Sequence, residues 1–154
     1  MHPYEKTVEE IEQHMVLVQK FITLFCVLLR ERAYNHDKSK LEPPEIEHFS
    51  AIDRRTLDIK YGSPEYEHAL TILQPALEAH YAQNRHHPEH HPEGIRDMNL
   101  IDLIEMFLDW MASTKRHKHG NILKSIEINA KRFDLCDDLV CIFRNTAVLY
   151  DNLK

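Results

Sequence analysis

Glycine is nearly absent from this chain, with three in 154 residues. So few leave little room for the tight turns of a β-rich fold. Neither G-x-x-x-x-G-K-[ST] nor G-x-G-x-x-G occurs, which removes P-loop and Rossmann readings. Basic excess is also missing: 19 Lys and Arg stand against 25 Asp and Glu, a formal charge of −6. Such a balance gives no extended surface for a nucleic-acid backbone. The three cysteines, Cys26, Cys136 and Cys141, form no C-x-x-C, and an odd count fits a reducing, cytoplasmic compartment. Cys26 lies in an apolar stretch and is expected in the core. The longest nearly apolar run, Phe21–Leu29, falls short of the about 20 residues a bilayer span needs. The opening MHPYEKTVEE lacks a basic segment leading into an apolar one. The expectation is therefore one cytoplasmic domain over residues 1–154, without a membrane segment; a homo-oligomer is compatible with it.

Helical periodicity fills the rest. Thr7 with Glu10 forms a capping-box pattern, followed by apolar Ile11, Met15, Val18, Ile22, Phe25, Cys26 and Leu29 at helical spacing. Pro43-Pro44 opens a short helix to about Arg54. Tyr61-Gly62-Ser63-Pro64 is a turn with Ser63 as N-cap of a helix to about Arg85, which Pro75 kinks or restarts. After a Pro-rich loop, Asn99 caps a helix from Leu100 to Lys115, with Met98 as its staple. Two packing helices follow, about Asn121–Arg132 and Asp137–Asn152. The fold class expected is all-α, a single-domain bundle of about five to seven helices.

Between residues 80 and 109 the composition changes character. Five of the twelve histidines fall here, His80, His86, His87, His90 and His91. The apolar helix that follows, expected to be buried almost all round, carries Asp102, Glu105 and Asp109 on one face. Carboxylates in such a setting are paired or bind a metal, because leaving them bare costs several kcal/mol, on the order of a lost buried ion pair. Imidazoles beside carboxylates suit divalent ions. His36-Asp37, with Ser39 and Lys40, is the second candidate cluster. His90 and His91, in the Pro-bounded loop, are expected to stand aside.

The order His14, His36-Asp37, His80, His86, His87, Asp109 resembles the H…HD…H…H…D pattern of the HD-domain superfamily of helical, metal-dependent phosphohydrolases. A closer likeness, through His36-Asp37-x-Ser39-Lys40, His80-Tyr-x-x-Asn84-x-His86-His87-Pro88-Glu89-His90, Asp102-Leu-Ile-Glu-Met, Asp109-Trp110 and Ser125-Ile-Glu-Ile-Asn129, is to a small family of phage and bacterial proteins without an established substrate. The resemblance implies an HD-like domain holding one or two divalent ions (Mn, Mg, Fe, Co or Zn) on His14, His36, Asp37, His80, His86, His87 and Asp109. His14 and His36 would lie about 33 Å apart on a straight helix. Either the chain bends back between about Leu28 and Asn35, or His14 is not a ligand.

The expected function is hydrolysis of a nucleotide or other small phosphorylated molecule by metal-activated water. Glu105 would orient a ligand or act as general base. Lys40, Asn84 and either Arg116 or His117 would meet phosphate. The alternatives are a di-iron HD-like oxygenase, a non-catalytic phage-type protein that binds a host factor or nucleotide signal, and a helical bundle closed around a structural metal.

Overall fold

A computed structural model describes residues 3–51, 64–116 and 120–151. Every regular element among them is helical: α1 (Pro3–Asn35), a 3₁₀ turn (Lys38–Leu41), α2 (Glu45–Ala51), α3 (Pro64–Gln83), 3₁₀ turns at Pro88–His90 and Gly94–Asp97, α4 (Leu100–Lys115), α5 (Ile122–Arg132) and α6 (Asp137–Asp151). The all-α expectation holds, with six α-helices among the described residues. The expected turn at Tyr61-Gly62-Ser63, the end of α2 toward Arg54, His117 and Asn152 lie outside the described residues. By their internal contacts, residues 1–36 and 37–154 form two units.

The first unit is α1. It starts at Pro3, not after Thr7, because proline is pre-set for a first helical turn and lacks only a donor that has no partner there. It then runs 33 residues without a break. Of the two alternatives the helix runs straight through Leu28–Asn35 without the bend: no Gly or Pro interrupts that segment, and Arg-Glu-Arg-Ala is a good helix-forming run. Cys26 is exposed, as are Ile11, Met15, Phe21, Ile22 and Leu24, each more than half exposed. Within this unit there is no second helix for the apolar stretch to pack against, so it makes no core of its own. By length and composition α1 can cross a membrane. Counting unbroken apolar residues understated it, since isolated polar residues interrupt an otherwise apolar window.

The second unit opens at Asp37, whose backbone is left-handed (φ 56°). Asp tolerates that conformation better than most side chains, and its carbonyl accepts from Lys40 N at 3.0 Å to form the 3₁₀ turn. Pro75 lies inside α3 without ending it. Asn99 caps α4 as expected: its Oδ1 accepts from Ile101 N and Asp102 N, and Asp102 Oδ2 accepts from Asn99 N. The core gathers Met98, Met106, Phe107, Ile126, Phe143 and Ala147. Phe107 and Phe143 stack at 4.7 Å between ring centres, and Trp110 meets Phe143 edge-on at 5.7 Å. α4 is less enclosed than its composition implies, since Leu100 is exposed and Leu103, Ile104 and Leu108 are half-buried.

Gly120 follows α4 so closely that a Cβ there would sit 1.8 Å from the Thr114 carbonyl oxygen. Backbone, not a mobile side-chain tip, is the obstacle. Gly120→Ala is expected to destabilise the protein by at least about 1–3 kcal/mol, as overpacking does, and Phe107→Ala by about 3–5 kcal/mol. Denaturant titration checks both. A Gly120→Ala variant as stable as the parent would mean that the turn relaxes freely.

Candidate metal centre

The centre is assembled from three segments of the second unit. Asp37 comes from the left-handed turn, His80 from the last turn of α3, and His86 and His87 from the loop after it. One donor atom from each of the four lies within 4.8 Å of every other. His80 Nε2 is 2.9 Å from His87 Nε2 and 3.3 Å from Asp37 Oδ1, and His86 Nε2 is 3.5 Å from the same oxygen. Two donors about 2.1 Å from one ion are about 2.9–3.4 Å apart at octahedral or tetrahedral angles. The observed spacings are therefore close to those of neighbouring ligands.

Buried carboxylates set the imidazole tautomers. His80 Nδ1 lies 2.8 Å from Glu45 Oε2, and both side chains are enclosed. His86 Nδ1 lies 3.3 Å from Glu105 Oε1. An ionised carboxylate only accepts, so each imidazole carries its proton on Nδ1. That leaves the Nε2 lone pairs of His80 and His86 directed toward Asp37 Oδ1. Lone pairs gathered on one point call for a cation, and the carboxylate–imidazole pairing is the usual support of a metal ligand.

His87 follows the same logic. Burial, together with the neighbouring His86 and His80, lowers its pKa from 6.5 to about 3, against the raising effect of Asp109 and Asp37. It is therefore neutral at physiological pH, the form that binds metals.

Around the donors, Ser39 and Asn84 form a small network. Asn84 Nδ2 donates to Ser39 Oγ at 2.8 Å and to the His80 carbonyl at 2.8 Å, and also lies 3.0 Å from His80 Nδ1. Lys40 Nζ pairs with Asp37 Oδ2, the oxygen on the other side of that carboxylate. A carboxylate oxygen of Asp109 lies within 4.8 Å of one on Asp37.

The remaining sequence candidates divide clearly. His36 closes the first unit, one residue before Asp37. His14 sits mid-helix on α1, exposed. With the helix unbroken to Asn35, about 33 Å of axial rise keeps His14 from sharing an ion with His36. Asp102, the first acid of the expected stripe, serves the α4 cap and an ion pair with Arg85 at 3.1 Å. His90 and His91 donate to the carbonyls of Tyr81 and Arg85 and fix the loop. Arg116 is exposed. Glu45 is the residue that sequence reasoning missed. Its only signal was an acid after Pro43-Pro44, which a helix dipole explains equally well.

The His87 shift carries a pH signature in the metal-free protein. Between pH 6.5 and about 3 the unfolded chain binds a proton at this imidazole that the folded chain refuses. Stability is fully present above 6.5 and is lost as the pH falls through that window. His87→Gln is expected to flatten this acid limb in chelator-treated protein, as read by denaturant titration at several pH values. An unchanged limb would assign the loss to other groups.

No curated protein and no solved structure matches this chain. A family profile, described as a family of unknown function, matches residues 4–147. On a match that covers nearly its whole length, the chain belongs to that family, DUF5662.

Proposed function

We propose that this protein is a metal-dependent phosphohydrolase that acts on a nucleotide or another small phosphorylated molecule. One observation carries the reading: the Nε2 atoms of three histidines and Asp37 Oδ1 converge, with the His80 and His86 tautomers set by Glu45 and Glu105. The HD-like order of these residues adds the reaction class. Three imidazoles and one carboxylate favour manganese, iron, cobalt or zinc over magnesium. A bound ion of this kind supplies Lewis acidity and a water acidic enough to attack at neutral pH.

The chain's own residues supply the rest. Asp37, His80, His86 and His87 hold the ion. Glu45 and Glu105 keep two of those imidazoles in the ligating tautomer. Asn84 donates to the His80 carbonyl and to Ser39 Oγ, and that hydroxyl oxygen lies 3.3 Å from His80 Nδ1, where it can accept. Lys40 is a positive point charge on the Asp37 carboxylate and suits an anionic substrate oxygen. Asp109, on the opposite side of the sequence motif, adds negative charge near Asp37 and is the natural acceptor for a proton leaving water.

Purified protein is expected to bind about one equivalent or more of a transition metal, with three imidazoles as ligands. Glu45→Gln should weaken that binding by about 10–100-fold, the usual effect of removing a ligand's supporting carboxylate. Titration with a competing chelator measures it. Metal-loaded protein should release phosphate from at least one member of a nucleotide and phosphomonoester panel, and Asp37→Asn should abolish the release. Tight metal binding with no hydrolysis across the panel would refute the phosphohydrolase reading and leave the metal centre standing. A coloured, iron-bearing preparation that consumes oxygen would favour the oxygenase alternative.

A further inference from the structure

α1 carries a second message, separate from the metal centre. Its apolar residues Ile11, Met15, Val18, Ile22, Phe25 and Leu29 alternate at spacings of four and three, and Tyr4 and Val8 extend the same register toward the N-terminus. A 4-3 repeat maintained for more than three heptads is the seam of a coiled coil. Ile11, Met15, Val18 and Ile22 on this seam are 41–60% exposed. From Glu5 to His14 the positions off the seam are almost all polar, including Glu9, Glu10, Glu12 and Gln13, whereas from Val16 onward apolar residues such as Val16, Leu17 and Phe21 also flank the seam.

Charge chooses the partner and its direction. Residues 5–12 contain four acids and one base, whereas residues 20–32 contain three bases and one acid. Two copies laid antiparallel put each acidic end beside the other's basic end. Laid parallel, like charges would meet at both ends. A helix with opposite charge at its two ends and one continuous apolar seam is thus complementary to itself reversed.

We propose that α1 is a self-association element, through which two copies of this chain pair by an antiparallel helix–helix seam. α1 is long and apolar enough to cross a membrane as well, but its seam begins among Glu5, Glu9 and Glu12, and the charge match of the helix with its own reversed copy favours pairing.

The test is the mass of the full-length protein in solution, by light scattering after size exclusion. The expected value is twice the 18.3 kDa chain mass. The double substitution Val18→Glu and Ile22→Glu should reduce it to the single-chain value, while Gln13→Glu, off the seam, should leave it doubled. Circular dichroism of each variant separates loss of pairing from loss of helix. A wild-type protein that is a single chain at 100-fold the concentration of a typical assay overturns the proposal, as does one that floats with vesicles of neutral and anionic lipid while staying monomeric. Direction is read from a spin label at Lys6→Cys in a chain with its three cysteines replaced by serine. Antiparallel pairing places the two labels about 30 Å or more apart, and labels within about 15 Å of each other would overturn the antiparallel arrangement.

Discussion

Everything in the candidate metal centre depends on the contact between Glu45 and His80. Both side chains are closed off from solvent, and their atoms meet at 2.8 Å. A buried carboxylate is expensive unless a donor satisfies it, and the Nδ1–H of His80 is that donor. Satisfying the acid fixes the tautomer, and the tautomer aims Nε2 at Asp37 and His87. The second oxygen of Glu45 is buried with no hydrogen-bond partner among the described residues, so this acid tolerates an incomplete shell to hold one imidazole. Such a cost is common where geometry serves chemistry more than stability.

The bundle supplies that geometry from a distance. α4 is capped at Asn99, anchored through Phe107 and Phe143, and presents Glu105 to His86 from its middle turns. The short loop after α3 is fixed by His90 and His91 on backbone carbonyls. Two of the five clustered histidines thus build the loop that carries two others. A histidine-rich stretch here combines scaffolding and candidate metal ligands in adjacent positions.

Much of this was legible in the sequence. Scarce glycine and the 3.6-residue periodicity marked an all-helical chain, and Leu100–Lys115 emerged with its limits and cap as read. The cluster His80, His86 and His87 with Asp37 was visible because residue types with one shared chemistry recur at short spacing. Glu45 was not visible. Its burial arises from the packing of α2 against α3, a tertiary fact that no local pattern encodes. Asp102 was visible as an acid in an apolar helix, but local capping claimed it, since a backbone donor three residues away needs no tertiary arrangement. The bend that a shared His14–His36 ion would need does not form, for the opposite reason: only a site requirement called for it, while the local sequence favours helix throughout.

The left-handed backbone at Asp37 has a consequence for how this position can vary. Only glycine, asparagine and aspartate adopt that conformation at little cost, and of these only aspartate brings a charged donor. Selection for folding alone would accept three residues here; selection for the centre accepts one. Asparagine at this position in a related chain would therefore keep the architecture while removing the carboxylate that the proposed centre relies on.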